Sequence, residues 1–486
     1  MKLSQLMKGY PGVRNPGYND VDIQKICYDS RKVEPGDLFV CISGFVTDGH
    51  QYARAAVEKG AAALLCEREV EADVPVLLVD DTRKALAYAA DRFYDHPSGK
   101  FKLIGITGTN GKTTTTYLVK RILEDAGQRV GLIGTNHNMI GDQILPSART
   151  TPESLELQEL FARMADAGVD AVVMEISSHS LELSRVAYCE IDIGAFTNLT
   201  QDHLDFHKDM EHYFLAKAKL FEMCKTGVVN IDDPAGIRLL ESCRCVPVSY
   251  GVDNAADIYA YDMEFGSDHA SFLANILGKE IRIRLNTPGK FSVYNGLCAI
   301  GICTACGISA EVIAKGLSEM KGVSGRAEVL PLGKPYTVMI DYAHTPDGLE
   351  NILKSIRGFA KGRVVTLFGC GGDRDRTKRP IMGEMAGKLS DFCIVTSDNP
   401  RSEDPAAIVR EVEAGVKQTD CPYTVIVNRR DAIFYALQHA LPEDVILLAG
   451  KGHETYQILA DGTIHFDERE VVAECLKELE QNHETN

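Results

Sequence analysis

The sequence predicts an α/β protein of three domains, and three observations predict it. The chain has 486 residues, too many for one ordinary core, since domains hold about 100 to 200 residues. From Phe101 onward, apolar runs of strand length alternate with helical patterns, the mark of mainly parallel sheets covered by helices. Unusual polar and glycine-rich segments directly follow those strands, where ligands bind in such sheets because helix N-termini and loop amides converge there.

The first hundred residues read as a short mixed unit. Its strands lie in IQKICYDSRKVEPGDLFVCI, AAALLC and VPVLLVDD, with a helix near Ala53 to Lys59. Pro and Gly in YDHPSGKF, Tyr94 to Phe101, mark a break. The middle unit then runs LIGIT, helix, VGLIGT, a helix over Glu153 to Ala167, DAVVMEI, IDIGAFTNL, a helix over Glu211 to Cys224, GVVNID and VPVSYG. Residues 257–287 look antiparallel, and two helices end near Lys321. A third unit starts around GRAEVLPLGKPYTVMIDYAHTPD, with RVVTLFG, DFCIVTSD, YTVIVN and DVILLAG as strands and a closing charged helix, DEREVVAECLKELE. The expected domains are 1–98, 99–325 and 326–486. Polar strand-end loops in the last two units imply half-sites facing a shared cleft.

Composition narrows the function. The charge of -17, from 52 basic and 69 acidic residues, argues against a nucleic-acid or membrane-surface binder. The opening MKLSQLMKGYPGV is too polar for a signal peptide, and no run approaches the roughly 18 apolar residues of a membrane span. A cytoplasmic location is expected, with the 14 scattered cysteines as reduced, mostly buried thiols. Cys303 and Cys306 form a CxxC inside an apolar helical run with no second ligand pair, which reads as core packing rather than a zinc or redox site.

The stretch GTNGKTT, Gly108 to Thr114, lies between a strand and a helix. Gly108, Asn110 and Gly111 let successive N–H groups point at phosphate, Lys112 offers a point charge, and Thr113 a hydroxyl for Mg²⁺. The strict phosphate-loop pattern needs Gly at 106, where this chain has Ile106.

The spelling GTNGKTT, with TNLTQDHLDFH and AKAKLF, resembles the Mur ligases and their folylpolyglutamate synthetase relatives. The resemblance spans nearly the whole chain. It implies an N-terminal uridine-nucleotide-binding α/β domain, a central P-loop ATPase-like parallel-sheet domain and a C-terminal Rossmann-like α/β domain. It also implies an ATP-dependent, Mg²⁺-requiring amide ligase working through an acyl phosphate. The chemistry has a physical logic: a carboxylate and an amine form a salt at neutral pH, and phosphoryl transfer supplies the leaving group that hydroxide cannot be. Bringing two anions together requires positive charge.

Residue by residue, the resemblance assigns ATP contacts to Gly108, Thr109, Asn110, Gly111, Lys112, Thr113, Thr114, Asn295, Arg326, Asp341 and His344. Metal or catalytic roles fall to Thr113, Glu175, His203 and Lys217, the last carrying a CO₂-derived carbamate that turns a cation into an oxygen ligand. Read alone, Lys217 is a helical lysine on a solvated face. YDSRKVEPGDLFVCISG and DGHQYA resemble the uridine-nucleotide domain of the family member that adds the third residue of the peptidoglycan stem. Ser30, His50 and Gln51 are then UDP contacts, and Thr150, Thr151, Ser177 and Arg185 contacts to UDP-MurNAc-L-Ala-D-Glu. Leu183 replaces a common glutamine. Asp398, Asn399, Pro400 and Arg401 spell DNPR, associated with meso-diaminopimelate rather than L-lysine; Arg374, Gly450 and Glu454 complete that pocket. An arginine fork suits the extra distal carboxylate of diaminopimelate. The small-molecule substrates are thus ATP, the UDP-dipeptide and diaminopimelate, the protein a monomer. A lysine-adding ligase, a folylpolyglutamate synthetase and a non-catalytic nucleotide-switched binder remain as alternatives.

Overall fold

The computed structural model of the protein describes residues 1–44 and 47–484. Among these, strands form three sheets and one separate hairpin. The first sheet is parallel throughout, Lys25–Cys27, Asp37–Val40, Ala63–Cys66 and Val76–Leu78 in sequence order.

The second sheet is centred on the strand Lys102–Thr107, flanked in parallel by Ala171–Glu175 and Ile191–Phe196. All three are nearly continuous apolar runs, as expected of strands buried on both faces. Helix Lys290–Ala305 is apolar almost all round because it is sandwiched: Leu297, Ile300 and Ile302 share one core with Ile104, Ile106 and Leu118. Cys303 is fully buried in that core, and the cysteines are all free, so the CxxC is packing.

Residues 257–287 are antiparallel as expected and form the outer strands of this same sheet, whose other edge differs from the sequence reading. That edge carries a hairpin, Asn138–Ile140 with Gln143–Leu145, whose signal was the Gly141-Asp142 turn, Gly141 having φ +58°.

In the third sheet Thr337–Asp341, Val445–Ala449, Val364–Phe368, Phe392–Val395 and Tyr423–Val425 are parallel, and Glu328–Val329 is an antiparallel edge. Tyr456–Leu459 pairs with Gly462–His465 as the hairpin. Among the described residues no helix is long and apolar enough to cross a membrane.

Candidate functional site

The strand Lys102–Thr107 runs one residue short of Gly108, so position 106 belongs to the sheet. Ile106 is fully buried there, and no glycine is needed. The loop proper begins at Gly108, φ +146°, where a Cβ would stand 1.9 Å from Thr197 Oγ1, and ends at Gly111, φ +86°, where it would stand 2.3 Å from Asn295 Oδ1. Both positions exclude a side chain by conformation and by space. Asn295 thereby lies directly against the loop.

The loop is stitched to the segment after Ile191–Phe196. Thr109 N donates to Asn198 O (2.9 Å), Asn110 N to Asn198 Oδ1 (2.9 Å), and Thr200 N to Thr109 Oγ1 (3.0 Å). His203 follows in that segment, with φ +53° and Nε2 at 3.3 Å from Asp202. Sequence reading missed Asn198 and Thr200, although TNLT was in view.

Two lysines meet on one carbonyl. Gly108 O accepts from Lys112 Nζ at 2.9 Å and from Lys217 Nζ at 2.8 Å. Lys217 is 2% exposed, on helix Met210–Met223, with Nζ 4.4 Å from the centre of the Tyr213 ring. It is not on a solvated face. Burial, and then the charge of Lys112, push its ammonium well below the ordinary lysine value. Burial likewise lowers Lys112, partly offset by Glu175 and Asp202. Lys219 points elsewhere, pairing with Glu182 at 2.6 Å.

Glu175 ends the neighbouring strand, 1% exposed; Oε1 accepts from Thr135 N (2.8 Å) and Oε2 from Thr135 Oγ1 (3.1 Å). Thr135 Oγ1 lies 3.0 Å from Thr150 Oγ1, and Thr151 Oγ1 donates to Glu175 O at 2.8 Å while accepting from Ser177 N at 3.1 Å. Thr113 and Glu175 offer hydroxyl and carboxylate oxygens, hard donors that fit Mg²⁺, His203 adds a borderline imidazole nitrogen, and each Glu175 oxygen keeps accepting capacity. Among the described residues no three His, Cys, Asp or Glu side chains form a metal cage.

Arg185 belongs to an arginine cluster that sequence reading missed. Glu153, 7% exposed, faces Arg185 (3.3 Å), Arg83 (3.4 Å) and Arg149 (3.7 Å). Arg185 also donates to Thr151 O at 3.3 Å, its buried Nε faces Glu153 Oε2 at 3.3 Å without hydrogen-bond geometry, and burial lowers its proton affinity. Arg83 comes from the first unit. In that unit His50 is committed internally, Nδ1 to Asp48 (2.7 Å) and Nε2 accepting from Glu67 N (2.9 Å). Ser30 gives its carbonyl to Lys59 (2.8 Å), and Gln51 is exposed.

The third unit reaches the loop through Arg326, whose Nη2 donates to Thr113 Oγ1 at 3.2 Å and whose guanidinium lies 4.9 Å from the Tyr342 ring centre. Asp341 is already occupied, accepting from Ala327 N (2.7 Å) and Ala343 N (2.9 Å); burial raises its pKa. His344 Nδ1 is 2.8 Å from Tyr342 O.

The DNPR segment closes the other side of this unit. Arg401, φ +53°, donates to Gly372 O (2.8 Å) and Asn399 O (3.4 Å). Gly371 lies between Arg401 and Arg374, which is exposed and bonded to Asp373 O (2.9 Å). Asn399 Nδ2 donates to Glu454 Oε2 (2.8 Å). Gly450, φ +115°, has room for no Cβ because Asp398 Oδ2 stands 2.7 Å away. Beyond it, Asp404 caps helix Pro405–Val416 by accepting from Ala406 N.

A glycine-rich loop of phosphate-binding type in one mainly parallel sheet, met by an arginine from a second that carries a charged cluster of its own, defines a multidomain α/β protein with the parts of a nucleotide site. Comparison with known proteins narrows this. Residues 22–94 match the Mur ligase family catalytic domain, 106–303 the Mur ligase middle domain, and 325–452 the Mur ligase glutamate ligase domain. The chain is 50% identical over 484 residues, 99% of itself and 100% of the relative, to a UDP-N-acetylmuramoyl-L-alanyl-D-glutamate–2,6-diaminopimelate ligase of Caldanaerobacter subterraneus subsp. tengcongensis. It is 51% identical over 470 residues to the protein of the same description from Clostridium botulinum, covering 95% and 96% of the two chains. A solved structure of a ligase so described superposes with TM-score 0.69 at 30% identity, covering 94% and 95%. The chain belongs to the Mur ligase family.

Proposed function

We propose that this protein is an ATP-dependent amide ligase that joins meso-diaminopimelate to UDP-MurNAc-L-Ala-D-Glu, releasing ADP and phosphate. The reading further takes it as a cytoplasmic, monomeric bacterial enzyme of peptidoglycan precursor synthesis, with domains 1–98, 99–325 and 326–486. Relatives at 50% and 51% identity that carry this description support it. The single observation that carries it is the 3.2 Å bond from Arg326 to Thr113, because it brings the unit with the DNPR pocket onto the loop that would hold the triphosphate.

In this reading the loop amides of Gly108 to Thr114 and Lys112 hold the β- and γ-phosphates, Asn295 borders the nucleotide, and Arg326 neutralises charge on the transferring phosphoryl group. Asp341 and His344 flank the ribose from the third unit. Thr113, Glu175, His203 and a carbamate on Lys217 would hold Mg²⁺, which would supply further charge neutralisation and orientation. The buried amine of Lys217 is predisposed to be neutral, and a neutral amine adds to CO₂ to give a carbamate and one proton. Thr150, Thr151, Ser177 and Arg185, with Ser30, His50 and Gln51 on the uridine side, orient the acceptor carboxylate. That carboxylate attacks the γ-phosphorus, ADP leaves, and the amine held by the DNPR segment displaces phosphate from the acyl phosphate.

The test is oxygen-18 placed in the acceptor carboxylate. Label recovered in inorganic phosphate is expected; its absence there refutes the acyl phosphate. Turnover that ignores the UDP-dipeptide would instead favour another ligase of this fold.

A further inference from the structure

Lys451 is absent from the contacts assigned above, yet it sits in their midst. The side chain is fully buried between Gly450 and Gly452, with Nζ 3.1 Å from Glu454 Oε2, 3.4 Å from Asn399 Oδ1 and 4.0 Å from Asp398 Oδ1. The rings of Tyr456 and Phe466 lie 5.7 and 5.9 Å from it. A fully buried cation is costly unless paired, and this one is paired with both carboxylates of the amino-acid pocket rather than with a private partner.

The charges in the pocket can be followed. Asp398 and Glu454 are two anions, and Arg401 and Lys451 two cations. Arg374 and Asp373, both exposed at the edge of this set, add one charge of each sign, although Arg374 donates to the Asp373 backbone carbonyl rather than to its carboxylate, and the adjacent Arg429–Glu468 ion pair, fully buried at 2.8 Å, is balanced within itself. The set is therefore neutral, which matches a ligand whose distal end is itself neutral, one ammonium with one carboxylate. Without Lys451 the set has one uncompensated negative charge, which matches a distal end bearing a lone ammonium.

We propose that Lys451 is a positioning residue that determines specificity: it cancels one of the two pocket carboxylates, so that a distal zwitterion is accepted and a distal lone cation refused. This rests on the proposed amino-acid pocket. The position of Asn399 depends on the same cation, since Asn399 Oδ1 accepts from Ile458 N (3.0 Å) and lies near Lys451 while its amide serves Glu454.

The experiment compares wild type, Lys451→Gln, which keeps a donor and removes the charge, and Lys451→Arg, which keeps the charge. Each is assayed for kcat/KM with meso-diaminopimelate and with L-lysine, for KM with ATP, and for its thermal transition. In Lys451→Gln the ratio of diaminopimelate to lysine is expected to fall at least tenfold with ATP KM unchanged within twofold, and in Lys451→Arg the ratio is expected to stay nearer wild type. An unchanged ratio in Lys451→Gln, a parallel rise in both KM values, or loss of its thermal transition would overturn the proposal and leave Lys451 a structural cation. Wild type that fails to use diaminopimelate would refute the pocket assignment itself.

Discussion

The phosphate loop and the DNPR pocket are both polar, strand-end sites, but their charge is organised in opposite ways. Around Gly108 the cation Lys112 shares one carbonyl with the buried Lys217 amine, and the cation Arg326 reaches in from another unit. Around Asn399 two cations face two anions, with Lys451 between Asp398 and Glu454. An excess of positive charge suits a polyanion, whereas a balanced set suits a zwitterion. The difference also shows in what builds each site: backbone curvature in the first, side chains from distant loops in the second.

The largest effect that would break this comparison is at Lys217. Lys217→Ala is expected to lower kcat by about a thousandfold or more if its carbamate helps hold the Mg²⁺ that would neutralise the transferring phosphoryl group. Added short carboxylates should restore part of it; normal turnover of the alanine variant removes the carbamate from the mechanism. Next, Arg401→Ala should cost about a hundredfold in kcat/KM for diaminopimelate, with no loss and by the same charge count a gain for L-lysine, because only the former offers a distal carboxylate to the fork. Equal losses with both amino acids would assign Arg401 a structural role.

A smaller effect sharpens the cation-rich side. Saturating Mg-ATP should raise thermal stability by about 3 kcal/mol at a hundred times Kd, and Lys112→Met should forfeit most of that increment at the same concentration. An undiminished shift means Lys112 does not touch the nucleotide.

The smallest effect is a titration. His453, two residues after Lys451 in sequence, is pushed down to about 4 mainly by burial and then by Arg326. A depressed histidine favours the unfolded state once that state can protonate. Its contribution to stability is therefore intact above the ordinary histidine pKa of about 6.5 and is lost as pH falls from there toward 4. Thermal melts from pH 7.5 to 4.5 should fall less steeply for His453→Gln than for wild type, and parallel slopes would exclude this residue as the cause.

Much of the architecture was legible because it is local. Strand-length apolar runs, helix spacing and the spelling of Gly108 to Thr114 placed the βα units, and Ile106 departs from the strict loop pattern only because the strand still runs through it. The alternation of polar strand ends also placed Glu175 and His203 after the two strands that flank Lys102–Thr107. The hairpin over residues 138–145 was missed because its strands are three residues each, too short to show a period.

What the sequence by itself determined is the set of elements and the chemistry each strand-end loop can offer, since backbone curvature and residue type act over a few positions. Only tertiary structure decided burial and charge balance. Lys217 reads as a surface lysine until helix Met210–Met223 packs its Nζ onto Gly108, and Glu153 gathers Arg83, Arg149 and Arg185 from segments up to 102 residues apart. The energy of an ionised group depends on distance and on exclusion of water. Neither quantity exists until the chain has folded.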